Sequence, residues 1–91
     1  MAVIQAHILF KGHVQGVGFR FTVLRVAREF AVNGWIKNCV NGDVEALLQA
    51  DKEKIDAFLK RIRAIFSRYI VDEEIEISEP AKKLNSFEIR F

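Results

Sequence analysis

The run Trp35-Ile36-Lys37-Asn38-Cys39-Val40-Asn41-Gly42-Asp43-Val44-Glu45-Ala46-Leu47-Leu48-Gln49 decides how the rest of the chain is read. Two strand-like stretches, Trp35 to Val40 and Val44 to Gln49, flank Asn41-Gly42. Both residues of that dipeptide tolerate positive φ, so the spacing predicts a two-residue type I′ hairpin. Upstream, from about Thr22, the residues Val23, Leu24, Ala27, Phe30 and Ala31 recur at helical spacing, with Arg25, Arg28 and Glu29 off that face. Asn33-Gly34 is the expected stop. Downstream, Asp51 suits the N-cap of a second helix whose apolar stripe is Ile55, Phe58, Leu59, Ile62, Ile65 and Phe66. Its remaining faces carry Lys52, Glu53, Lys54, Lys60, Arg61 and Arg63, a solvated surface.

Working outward to the ends, Ile8, Phe10 and Val14 alternate with His7, Leu9 and Lys11, which reads as a first strand. Ile70 to Ile77 reads as another, with Ile75 and Ile77 alternating against Glu74 and Glu76; Phe87, Ile89 and Phe91 form a last short one. The order is β-α-β-β-α-β plus one extra C-terminal strand. This is the plan of an α+β, ferredoxin-like sandwich: a mainly antiparallel sheet with two helices on one face. Trp35, beside Gly34, is expected in the core.

Ninety-one residues, 51% of them hydrophobic, suffice for one core, so residues 1–91 are expected to form a single domain. A net charge of +2 gives no case for a nucleic-acid binder. The single cysteine, Cys39, excludes an internal disulfide, a multi-cysteine zinc site and an iron–sulfur cluster. No apolar run approaches the roughly 20 residues that span a bilayer. The opening Met1-Ala2-Val3-Ile4-Gln5-Ala6-His7 has no basic segment ahead of an apolar one, so a cytoplasmic location is the expectation.

Chemistry concentrates in Gly12-His13-Val14-Gln15-Gly16-Val17-Gly18-Phe19-Arg20. It joins a strand to a helix with three glycines in seven positions, where a plain connection needs one at most. Such spacing lets backbone N–H groups converge into an anion-binding nest, next to the positive end of a helix. Arg20 adds a planar fork of donors matched to phosphate oxygens. The competing reading is an ordinary glycine-rich turn. No Lys-Ser/Thr follows, so the segment is not a nucleotide P-loop, and the dinucleotide fingerprint also fails. His7 and His13 are too few and too far apart for a metal site. Cys39 has no activating partner in the sequence. Asn38 is polar within an apolar strand: either a turn-flanking amide or, opposite an anion nest, a group that orients a water.

The pattern Gly12-x-Val14-Gln15-Gly16-Val17-x-Phe19-Arg20, followed by Gly34-Trp35-Ile36-x-Asn38 and Gly42-x-Val44-Glu45, resembles the acylphosphatase family over nearly the whole chain. The resemblance implies metal-independent hydrolysis of the carboxyl–phosphate anhydride of an acyl phosphate, with no cofactor. By position, Arg20 is similar to the family's phosphate-binding arginine and Asn38 to its water-positioning asparagine. Val14, Gln15, Gly16, Val17, Gly18 and Phe19 are similar to its phosphate cradle. Three departures stand out. Asn41 replaces a usual Asp, Ala31 and Ala50 occupy positions that are often Gly, and Ala64 to Tyr69 lacks the customary Gly or Pro. The same module begins a large hydrogenase-maturation carbamoyltransferase, but Gly34-Trp35 and the lack of downstream zinc-finger cysteines favour a stand-alone enzyme. The resemblance thus implies a small-molecule acyl phosphate and inorganic phosphate as partners; charge and hydropathy add the expectation of no nucleic acid and no membrane, and the oligomeric state is not readable from the sequence, a monomer being the expectation.

The alternative is a non-catalytic ferredoxin-like module that binds anions, RNA or a partner protein. An RNA-binding version needs stacking aromatics on its third strand. Asp43-Val44-Glu45-Ala46-Leu47-Leu48 has none.

Overall fold

A computed structural model of the chain describes residues 2–91. Its elements run β1 (Val3–Gly12), α1 (Phe19–Glu29), β2 (Asn33–Asn38), β3 (Val44–Asp51), α2 (Lys52–Ile65), β4 (Ile70–Ser78) and β5 (Phe87–Ile89). The five strands make one sheet in the order β4-β1-β3-β2-β5. β3 pairs antiparallel with both β1 and β2, which are therefore parallel to each other and end at the same edge of the sheet. β5 pairs parallel with β2. This is the α+β, ferredoxin-like order expected from the sequence, including the extra strand.

Strand alternation places the core. Ala6, Ile8 and Phe10 of β1, Ile36 of β2, and Val44, Ala46 and Leu48 of β3 are fully buried on the helix-covered face. They meet Phe19, Val23, Val26 and Ala27 of α1, and Ile55, Phe58, Leu59 and Ile62 of α2. The stripe on α2 is as expected except at Ile65, which is exposed. Asp51 caps α2 by accepting a hydrogen bond from the Lys54 amide at 2.9 Å. Trp35 departs from expectation. It has the opposite parity to Ile36 and lies half-buried on the open face, between Lys37 (5.7 Å) and Arg90 (5.1 Å from the ring centroid).

Further boundaries differ from the sequence reading: β2 runs Asn33–Asn38 in place of Trp35 to Val40, and β5 stops at Ile89, which leaves Phe91 outside it. β1 ends at Gly12, so Val14 is buried from a loop rather than from a strand. α1 begins at Phe19, three residues earlier than Thr22. It stops at Ala31 and not at Asn33-Gly34: the Ala31 amide bonds the Arg28 carbonyl (3.3 Å) and the Val32 amide bonds that of Ala27 (2.9 Å). This is a Schellman termination, with Ala31 in the left-handed position usually taken by glycine (φ 55°). The β2–β3 connection is also not a type I′ turn, because Asn41 does not take positive φ. Cys39 and Asp43 form the last bonded pair (2.8 Å) around a three-residue loop whose final member, Gly42, is left-handed (φ 98°).

The chain between β4 and β5 must pass from one edge of the sheet to the other, four strand spacings or about 19 Å. Residues 79–86 make that crossing, held by the buried amide of Gln49. Its Nε2 donates to the Lys82 carbonyl (2.7 Å) and its Oε1 accepts from the Leu84 amide (2.9 Å). Asn33 Nδ2 holds the Leu84 carbonyl as well (3.0 Å).

The left-handed conformation costs an alanine roughly 1–2 kcal/mol, more than the chain entropy that glycine adds to the unfolded state. Ala31→Gly is therefore expected to stabilise the protein by about 0.5–1 kcal/mol. The check is the midpoint of urea unfolding at unchanged slope; a lower midpoint removes the assignment of strain to Ala31.

Candidate active site

Because β1 and β2 run parallel on either side of β3, the loop after Gly12 and the end of β2 at Asn38 share one edge of the sheet. Two buried side chains pin that loop. Val14 plugs into the core at its start, and at its end the ring of Phe19 packs edge-on against Phe10 (5.0 Å) and Phe66 (4.7 Å). These two expected cradle residues are thus anchors whose side chains turn inward. Between the anchors Gly16, Val17 and Gly18 stand exposed, with both glycines in left-handed conformation (φ 79° and 76°).

Gly18 is the N-cap of α1 and offers no side-chain acceptor, and the first turn carries no acidic residue. The first bond into the helix runs from the Thr22 amide to the Gly18 carbonyl (3.1 Å). Among the described residues, no backbone N–H from Gln15 to Phe21 donates to a protein acceptor. A row of unpaired N–H groups at the positive end of a helix is a receptor for an anion. The loop leans on the segment after α2, since the His13 amide donates to the Tyr69 carbonyl (2.9 Å). That glycine-free segment closes without positive φ, the Tyr69 and Ile70 amides both returning to the Phe66 carbonyl (2.9 and 3.0 Å).

Arg20, in the first turn of α1, is half-buried. Its guanidinium carbon lies 5.3 Å from the centroid of the Phe91 ring, and it makes no ion pair among the described residues. Asn38 ends β2 with the same parity as Gly34 and Ile36, so it belongs to the helix side of the sheet, where it is exposed. The side chain of Gln15 turns away from the loop. Its Nε2 donates to the carbonyls of Cys39 (2.8 Å) and Asp43 (2.9 Å). Sequence reading missed this clamp and the Phe91 contact, because both join residues far apart in the chain. Burial pushes the Cys39 thiol above its ordinary pKa, and the carboxylates of Glu45 and Asp43 push the same way. It is therefore held as a thiol at neutral pH, without the thiolate character of a nucleophile. Among the described residues, no group of three or more His, Cys, Asp or Glu gathers as a metal site.

A sequence model of the family described as Acylphosphatase matches residues 6–89. The chain is 39% identical to an acylphosphatase of Picrophilus torridus over 83 residues, 91% of this chain and 98% of that relative. It is 46% identical to an acylphosphatase of Moorella thermoacetica over 63 residues, 69% of this chain and 68% of the relative. Among solved structures, an acylphosphatase from Bacillus subtilis superposes with a TM-score of 0.88 at 27% identity, covering 97% of this chain and 99% of that one.

Two loop glycines separate strain from collision. A Cβ at Gly18 meets no atom within 4 Å, whereas one at Gly12 would lie 2.3 Å from the Tyr69 carbonyl oxygen. Gly18→Ala is expected to cost about 1–2 kcal/mol from backbone strain alone. Gly12→Ala, with a clash against backbone added, is expected to cost at least about twice as much. Denaturant unfolding of the two variants checks the order, and equal losses would remove the collision at Gly12.

Proposed function

The chain belongs to the acylphosphatase family and is an acyl phosphate hydrolase, and on that premise we propose that the loop Val14–Phe19, Arg20 and Asn38 are its catalytic apparatus. The backbone N–H groups of the loop and the start of α1 receive the phosphoryl oxygens. The guanidinium of Arg20 adds a bidentate charge, and Asn38 holds the attacking water. The observation that carries this reading is the row of unpaired amides from Gln15 to Phe21 at the edge that also holds Asn38.

The chemistry asks for little more. The leaving carboxylate has a conjugate-acid pKa of about 4, so it departs without a general acid. Water attacks phosphorus while the bond from phosphorus to the carboxylate oxygen breaks, the carboxylate taking the electron pair. The proton released by water goes to a phosphoryl oxygen of the substrate, since an amide does not deprotonate water. What remains for the protein is positioning and neutralisation of charge, the main components of phosphoryl-transfer catalysis. The Arg20 guanidinium lies over the exposed Phe91 ring and pairs with no carboxylate among the described residues, which leaves its charge for the substrate.

Release of phosphate from a synthetic aromatic acyl phosphate, assayed with a metal chelator present, tests the assignment. Arg20→Lys keeps the charge but loses the fork, and is expected to lower turnover by about 10³-fold or more and to weaken inhibition by inorganic phosphate. Near-normal hydrolysis by this variant would remove Arg20 from the apparatus. Asn38→Ala is expected to lower kcat by about 10²-fold or more, with KM and phosphate inhibition nearly unchanged, the signature of an interaction made in the transition state. Asn38→Asp is no rescue, because its charge repels the incoming dianion. If the whole effect of Asn38→Ala appears as weaker phosphate binding, the water has another partner.

A further inference from the structure

The amide of Gln15 ties together the two halves of the site just proposed. Its backbone belongs to the loop, yet both hydrogens of its Nε2 go to the neck of the β2–β3 hairpin: the Cys39 carbonyl (2.8 Å) and the Asp43 carbonyl (2.9 Å). Those residues are the hairpin's last bonded pair, joined by the Cys39 amide and the Asp43 carbonyl (2.8 Å), and Asn38 immediately precedes them. We infer that Gln15 is a positioning residue, whose side chain sets the distance between the anion-binding loop and Asn38, and so places the attacking water relative to the phosphoryl group.

The assignment rests on the function proposed above and adds a role for a side chain that does not touch the reacting atoms, distinct from the phosphate contact proposed for the backbone N–H of the same residue. Two donors on one nitrogen are the chemical requirement, and among the side chains of this length only an amide supplies them without charge. A glutamate would set a carboxylate against two carbonyl oxygens beside Asp43. The clamp also contributes little to folding. Each carbonyl has a second donor, Gly42 N–H for Cys39 (3.3 Å) and Cys39 N–H for Asp43 (2.8 Å), so removing Gln15 leaves neither carbonyl unpaired. What is lost is register between the two halves, and displacement of a reacting group by about 1 Å is enough to cost on the order of 10²-fold in rate.

Gln15→Met keeps the length and removes both donors. Measured on the synthetic aromatic acyl phosphate, it is expected to lower kcat by about 10- to 100-fold, with KM within about 3-fold of the parent and inhibition by inorganic phosphate unchanged. The decisive arm is the same substitution in an Asn38→Ala background, where a residue acting through Asn38 has little left to remove and kcat is expected to fall no further. An equal fractional loss in both backgrounds would overturn the inference and leave Gln15 a general support of the fold. So would an unchanged kcat, or a weakened phosphate inhibition, which would put the side chain among the phosphate contacts. In each of those cases Asn38→Ala alone still lowers kcat and the proposed function stands. An active Asn38→Ala enzyme overturns both. If Gln15→Met does not fold, Gln15→Asn, which keeps the amide but falls one methylene short, is read in the same cycle.

Discussion

The ring of Phe19, edge-on between Phe10 and Phe66, sets where α1 begins, and the end of the molecule that carries the proposed site is placed from that point. Phe10 belongs to the inner strand β1 and Phe66 caps the C-terminus of α2, so one side chain joins sheet and both helices. Edge-to-face aromatic pairs add about 0.5–1.5 kcal/mol each beyond the area they bury. Phe66 in turn packs against Tyr69, whose carbonyl holds the His13 amide. The result is a closed circuit of packing and hydrogen bonds around an exposed Gly16-Val17-Gly18. A loop that must present bare amides gains rigidity from neighbours, having no side chains of its own to supply it.

That arrangement explains how so small a chain can work with few polar side chains at its centre. Donors fixed by the backbone need no reorganisation as charge develops, and a guanidinium without a protein carboxylate as partner has its fork of donors free. The side chains of Arg20 and Asn38 come from different elements, and the parallel relation of β1 and β2 brings those elements to one edge. Order in the sheet is thus the condition for the site, more than any single contact within it.

Much of this was legible in the residues because period and position agreed. Helical spacing gave α2 nearly residue for residue, and alternation gave the buried face of β1. Arg20 and Asn38 stood out as polar groups beside a glycine-rich turn and a hairpin. What escaped notice depended on partners distant in sequence. Ala31 is the exception, since its Schellman bonds are local, to Arg28 and Ala27; alanine itself gives no sign of left-handed backbone, and only the resemblance, which puts a frequent glycine there, points to it. Trp35 looks like core by composition, but parity turns it to the open face, where two cations flank it. Gln15 was read as part of the loop because its backbone is, and its side chain answers to carbonyls more than twenty positions away.

β4 lies at the sheet's outer edge, and the helices leave Val71, Ile75 and Ile77 largely uncovered there. A long, partly apolar edge of this kind invites another strand. Asp72, Glu74 and Glu76 alternate with those residues on the other face, opposite Lys11, Leu9 and His7 of β1. If a second copy docked antiparallel about Glu74, Glu74 would face itself and Asp72 would face Glu76 on both sides, and like charges directly opposed destabilise a ladder. The acidic stripe therefore works as a guard against fibre-like growth, set at a sheet margin remote from the proposed site.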